Sequence, residues 1–511
     1  MPQTLDECGK GITFVRHAFP AFLCLFLFLS PCLGRGQKHF DFNTRCQQAY
    51  REIIQLKLES GARLLDAEKK RDPSNLIPVF LENYIDFFNL FFNEDPALYL
   101  SKKDLLDKRI ESMSEGPVSS PFYLFTRSVI HFQWAAIKIK FGNNWDAGWE
   151  FRRSFLQSKE NQQKFPAFQP SVMLSGAMQV VAGTIPDGYK WLSSLLGIKG
   201  SLTTGMKLLE CFLTAKDDWA ALYHDEAVFY YLYLKFYIEN QRDRVFSFIR
   251  QNKLDVRNNY LYAYLTANLA LNDQQSAYAE QVIRQRAPGA GYLDMPIWDL
   301  EMGYAALNHL EPDAHEYLER YIRNFKGKFY VKDALQKLSW YYYLQGDGGK
   351  AASYRDQVLR RGSTESDADK QAMKEATGGK WPDKILLKAR LLCDGGYYGE
   401  ALQSLQGKGS GDFFPPEDKC ELAYRLGRIY DGLGRGDEAI SAYLTTIKSG
   451  ERLKEYFAAR AALQVGYIYE QRGNKAMATA YFQKCLSLKD HDYKNSLDQK
   501  AKAGIARVNS E

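Results

Sequence analysis

The residues best placed for acid–base chemistry in this 511-residue chain are three in a row, His224, Asp225 and Glu226. An imidazole beside two carboxylates can relay a proton. The same trio is also an ordinary solvated helix start, and that plainer reading is preferred. The remaining histidines, His17, His39, His131, His309, His315 and His491, are scattered along the chain. His309 and His315 are spaced wrongly for two ligands on one helical face, and neither an HExxH nor a GxSxG pattern occurs. Gly200 to Gly205 is followed by Met206 and Lys207, whereas a phosphate-binding loop needs lysine directly after its second glycine. Gly432, Gly434 and Gly436 have no preceding strand, so a dinucleotide loop is excluded. Glu316 and Glu319 sit at helical spacing on a polar face. These residues define no catalytic, metal or cofactor site, and the chain is expected not to be an enzyme.

What the sequence specifies is an architecture. Leu426, Gly427, Tyr430, Gly434, Ala439 and Tyr443 recur as Val465, Gly466, Tyr469, Gly473, Ala478 and Phe482, each displaced by 39 residues. Two antiparallel helices approach closely only where side chains are small. Gly427 is therefore expected to face Ala439 across a hairpin, and Gly466 to face Ala478. Gly434 and Gly473 fall where the first helix must end, a place for left-handed backbone. Tyr430 and Tyr443 are expected to fill wider gaps between hairpins. The same interval finds Ala389 with Ala401, Ser339 with Ala351, Met302 with Ala314, and Leu265 with Ala277. Gln281 occupies the aromatic position of the last of these. The polar stretch from Gly362 to Gly379 reads as an insertion.

This pattern resembles the tetratricopeptide repeat. The resemblance implies an all-α, right-handed superhelical solenoid of antiparallel helix hairpins that binds a protein or peptide in its concave groove. The family's groove positions carry over to Gln336, Trp340 and Tyr343, then Leu386 and Arg390. In the last two repeats they are Tyr424, Arg428 and Asp431, then Leu463, Tyr467 and Glu470. Arginine among aromatics suits a partner bearing carboxylates. Ser171 to Leu209 holds Gly183-Thr184-Ile185-Pro186, Trp191, Leu195-Leu196-Gly197, Gly200, and Gly205 before Leu208-Leu209. With Gly379-Lys380-Trp381 and Lys388-Ala389-Arg390, it resembles a signature of the tetratricopeptide family of outer-mitochondrial inclusion-clearance proteins. That family carries no catalytic residues to transfer, and its members are not exported.

Export is expected here. Lys10 and Arg16 precede an apolar run from Ala18 to Leu29, and Pro31, Cys32, Gly34 and Gly36 follow. The run is too short to span a bilayer, which takes ~20 residues. Cleavage near Gly36 would leave Gln37 first. Lipidation at Cys32 and retention as a membrane anchor are the alternatives. The expected organisation is a signal peptide over 1–36, degenerate hairpins over 37–215, the repeat solenoid over 216–490, and a capping helix or tail over 491–511.

Removal of the leader lowers the formal charge from +6 to +5, interspersed rather than striped, so nucleic acid is not an expected partner. It leaves Cys46, Cys211, Cys393, Cys420 and Cys485, an odd and dispersed set that excludes a disulfide framework and a zinc cluster. The high aromatic content, with 33 Tyr and 31 Phe, is read as core filling. The functional expectation is an exported scaffold that captures a protein or peptide. The alternative is an outer-membrane component that binds glycans for uptake.

Overall fold

A computed structural model describes residues 36–183, 197–289 and 291–510. The expected leader and the Thr184–Leu196 part of the central signature lie outside the described residues. From Lys38 onward the chain forms a single body. Its helices run α1 (Thr44–Ile54), α2 (Leu58–Arg71), α3 (Ile77–Asn93), α4 (Pro96–Lys102), α5 (Leu105–Ser114), α6 (Pro121–Lys140), α7 (Asn144–Lys164), α8 (Gln169–Gly183) and α9 (Leu202–Thr214). There follow α10 (Asp218–Leu222), α11 (His224–Tyr237), α12 (Arg242–Gln251), α13 (Tyr260–Asn272), α14 (Ser276–Arg284), α15 (Ile297–Asn308), α16 (Ala314–Asn324), α17 (Val331–Gln345) and α18 (Gly348–Arg360). The last are α19 (Asp367–Gly378), α20 (Lys384–Gly395), α21 (Tyr398–Ser404), α22 (Pro416–Gly432), α23 (Gly436–Gly450), α24 (Phe457–Gln471), α25 (Lys475–Ser487) and α26 (Lys494–Ser510). Among the described residues the only β pairing is the isolated bridge between His39 and Asn75.

From α11 onward the chain is a tetratricopeptide-like stack of antiparallel hairpins, each packed on the next. The turns are glycine turns for a physical reason. Gly346, Gly396, Gly434 and Gly473 end a first helix with φ of 85°, 86°, 72° and 71°, a conformation a side chain resists. The close helix contact is also present. Ser339 Oγ donates to the Ala351 carbonyl at 2.8 Å, and Ala389 and Ala401 are both fully buried.

The partners of the repeat glycines differ from expectation. A Cβ on Gly427 would fall 2.5 Å from the ring of Tyr443, and one on Gly466 would fall 2.5 Å from the ring of Phe482. Each glycine therefore leaves room for the aromatic side chain of the second helix to lie flat on the backbone of the first. Tyr443 fills space inside its own hairpin as well as beyond it. Two weaker repeats are shifted by one residue. Gly303, rather than Met302, meets Leu318. Ala277 and Gln281 are exposed, while Ser276, Ala279 and Val282 face the core.

The stretch from Gly362 to Gly379 is more than a polar insertion. Most of it is α19, and it is tied down by one fully buried carboxylate. Asp369 accepts from the backbone N–H of Tyr330 at 2.8 Å, from that of Asp333 at 3.1 Å, and from the Ser366 hydroxyl at 2.7 Å.

The N-terminal helices form a core that runs on into the solenoid. One hydrophobic cluster extends from Phe42 to Met295. At its centre Glu226 accepts hydrogen bonds from Tyr50 at 2.6 Å, Tyr84 at 3.1 Å and Tyr230 at 2.9 Å. Helices α8 and α9 cross backbone to backbone, since a Cβ on Gly205 would lie 2.6 Å from the Gly176 carbonyl oxygen. No helix among the described residues is long and apolar enough to cross a membrane.

Candidate functional site

The first helices of five consecutive hairpins, α11, α13, α15, α17 and α20, line one inner surface. That surface encloses a chamber of about 430 Å³. A second chamber of about 450 Å³ lies further along, between α17, α18, α19, α20 and the start of α22. The two share Gln336, Gln371 and Arg390 in their walls and so lie side by side along one inner channel-like surface. Helix α19 supplies part of both walls, with Gln371 in each and Lys374 and Glu375 in the second. The segment before α26 also borders the channel. Tyr493 lines the first chamber, and Asp492 is ion-paired with Lys374 at the second.

The residues expected to form a groove separate into three groups. Gln336, Trp340 and Arg390 line the channel. Tyr343 stacks on Trp381, itself a wall residue, at 4.6 Å between ring centres. Tyr424, Leu386 and Leu463 are enclosed in the core, and Arg428 and Asp431 are turned inward beside them, so these five present little surface to a partner. Tyr467 and Glu470 are covered by α26. Arg507 donates two hydrogen bonds to Glu470, at 2.9 and 3.0 Å, and lies over the Tyr467 ring. The expectation took the groove positions of an isolated repeat, whereas here the next hairpin or the closing helix covers them.

The electrostatics also differ from a bare arginine groove. Arg390 lies over Trp340, with Glu375 at 3.5 Å and Asp394 at 3.9 Å. Burial would discharge this guanidinium, but Glu375, Tyr456 and Asp394 hold it charged. Burial likewise opposes ionisation of Asp394, yet Arg428, Arg425 and Arg390 together keep its carboxyl below the usual range. The arginine charge is thus largely matched within the protein. At the mouth of the second chamber Glu417, Asp418 and Glu455 have no ion-pair partner among the described residues, beside Trp381 and Tyr456. Burial, with Glu421, Asp383 and Glu417 nearby, pushes the Asp418 carboxyl up.

The sequence reading missed the walls of the first chamber. Tyr233, Tyr237, Tyr264, Tyr304, Tyr330 and Tyr493 surround it together with Glu301. Tyr233, Tyr237 and Tyr330 remain 40%, 38% and 38% exposed. Helix α11 carries aromatics on all sides, in the run Tyr230-Tyr231-Leu232-Tyr233-Leu234-Lys235-Phe236-Tyr237. That is more than one core face can bury, and it was the available signal. Glu301 is 2% exposed and accepts from Asn268 at 3.2 Å through one oxygen. Its other oxygen has no hydrogen-bond partner. Burial pushes this carboxyl up to about 8.

The acid–base trio is dispersed in its roles. Glu226 is buried within its tyrosines rather than solvated. Asp225 accepts from Tyr262 at 2.8 Å and Asn259 at 2.9 Å, and the side chain of His224 is half exposed. None of the three borders the channel.

No family model and no curated protein matches the sequence. Among solved structures, the chain is similar to one described as the crystal structure of the APC/C hetero-tetramer Cut9-Hcn1. The match has 12% identity, covers 89% of this chain and 95% of that one, and has a TM-score of 0.25. A superposition that loose carries no argument, and the repeat architecture rests on the hairpins themselves.

Proposed function

We propose that the protein is an exported scaffold whose inner channel holds a segment of a partner protein and performs no chemistry on it. The observation that carries this reading is the set of wet aromatic rings inside the channel, Tyr233, Tyr237 and Tyr330. Aromatic side chains bury ~150–250 Å² each when covered, so leaving several exposed in a concavity forgoes stability unless a ligand covers them. The channel is walled by the first helices of successive hairpins, the surface on which helical repeat proteins generally bind.

A photo-crosslinking amino acid at Tyr330 tests the proposal, with Leu444 on an outer helix as control. Capture of one protein from Tyr330 and not from Leu444 supports it. Capture of nothing, or of the same set from both positions, overturns it. Retention on a glycan column with no protein captured would transfer the assignment to glycan binding. Export is tested by N-terminal sequencing of the mature protein, which is expected to begin at Gln37.

A further inference from the structure

The first chamber has the composition of a site for an organic cation. Its walls include six tyrosines and three carboxylates, Glu301, Asp333 and Asp394. Its own two cations are engaged. Lys337 lies 3.6 Å from Asp333 and over the Trp340 ring, and Arg390 is held by Glu375, Asp394 and the same ring. Some of the wall groups are engaged with one another. Tyr304 donates to Asp333 at 2.5 Å, Tyr237 to Asn268 at 2.8 Å, and Asn268 to Glu301 at 3.2 Å. Among the described residues of this wall, the fully buried acceptor without a hydrogen-bond partner is the second oxygen of Glu301. A tyrosine-rich lining beside a buried, unsatisfied carboxyl oxygen suits an ammonium group, which donates hydrogen bonds and is attracted to aromatic rings.

Resting on the scaffold reading, we propose that this chamber binds the side-chain ammonium of a lysine carried by the partner segment, with Glu301 as its counter-charge and Tyr233, Tyr237 and Tyr330 as its cage. In the empty chamber Glu301 holds its proton at neutral pH, because burial opposes its ionisation while Asn268 and the Arg286 guanidinium oppose that only in part. Arg286 is itself drawn over the Trp298 ring at 3.7 Å. Tyr237 and Tyr264 face the same carboxyl, and burial raises both hydroxyls far above neutrality, so they do not titrate in competition. The arriving ammonium replaces the Glu301 proton, which is released to solvent. Charge is balanced, and no covalent bond other than that O–H changes.

The test uses the full chain and two small probes, N-acetyl-lysine methylamide and its norleucine counterpart, titrated by NMR between about pH 6 and 9. Only the lysine probe is expected to bind. Its affinity should rise about tenfold per pH unit up to about 8 and then level off, because binding requires the ionised carboxyl. E301Q should flatten that profile and lose at least about tenfold in affinity on the alkaline side. Y233L, at an exposed position, should weaken binding with the melting temperature unchanged, which covers the case of E301Q failing to fold. Equal binding of both probes, a flat profile in the parent protein, or undiminished binding by a folded E301Q would overturn the site. A partner still crosslinked at Tyr330 in that event would leave the scaffold reading standing. An absence of crosslinked partner with lysine-probe binding intact would remove the scaffold reading instead.

Discussion

Ser339 and Ala351 stand on facing helices, joined by a hydrogen bond of 2.8 Å from the serine hydroxyl to the alanine carbonyl. The contact sets how closely α17 and α18 approach, and with it the shape of the channel wall that α17 presents. Ser339 itself lines the second chamber.

Replacing Ser339 with alanine should cost about 0.5–1.5 kcal/mol, the net worth of a buried hydrogen bond. Replacing it with leucine should cost about 1–3 kcal/mol, because the helices must separate to admit the side chain. Urea unfolding followed by circular dichroism measures both. A leucine variant as stable as the parent would show that this contact does not control the spacing.

The terminal repeats were legible because their determinants are local. A left-handed glycine at the turn and a small residue on a helix leave a mark at fixed spacing. The repeats at Met302 and Leu265 were misregistered by one residue, since a fixed interval assumes a constant turn. In that hairpin Gly303 takes the place beside Leu318 that the fixed interval gives to Met302. Helix α19 was hidden because its anchor is an acid, Asp369, whose value lies in backbone N–H groups supplied by α17 and the residue before it. The channel tyrosines were hidden for a related reason. Tyr230 and Tyr233 belong to one helix turn, yet one meets Glu226 in the core and the other meets solvent in the channel. Only the position of neighbouring hairpins decides which. The same dependence misplaced Tyr424 and Arg428, whose inward position is set by helices that follow them.

Glu150 should make the N-terminal helices acid-sensitive. Burial would raise its carboxyl, but His131 at 2.7 Å and Lys138 at 2.8 Å outweigh that and lower it to about 2. A carboxyl with a depressed value stabilises the fold above its unfolded range and loses that contribution as pH falls. Stability should therefore drop from about pH 4.5 toward about 2, by up to about 3 kcal/mol. Thermal melts across this range should show the drop in the parent protein. E150Q should be less stable at neutral pH and show a shallower acid limb. Parallel acid limbs would rule out Glu150 as the source.

Thiol reactivity should divide the five described cysteines sharply. Cys46, Cys393, Cys420 and Cys485 are buried, and burial raises each thiol, to about 12, 11, 11 and 12 respectively. Cys211 is exposed. In a chain beginning at Gln37, a chromogenic disulfide reagent at about pH 8 should titrate Cys211 at once and the others only on unfolding. Fast reaction of a second thiol in the native state would contradict the packing around it.

The closing helix depends on one ring held between two glycines. A Cβ on Gly466 would fall 2.5 Å from the Phe482 ring, and one on Gly504 would fall 2.6 Å from it on the side of α26. Phe482 is fully buried by this arrangement, and Leu497 and Ala501 with it. Gly504→Val should force the ring or the helix to move, at a cost of about 1–3 kcal/mol. In a repeat stack each element is held mainly by its neighbours, so the strain should be relieved by undocking of α26 rather than by global unfolding. Amide exchange should accelerate across Lys494–Ser510, and limited proteolysis should release that segment first. Undocking would also break the Arg507 hydrogen bonds to Glu470 and uncover Tyr467, which lengthens the inner surface by one repeat. Unchanged protection in α26 would mean that the ring rotates away at little cost and that the two glycines do not clamp it.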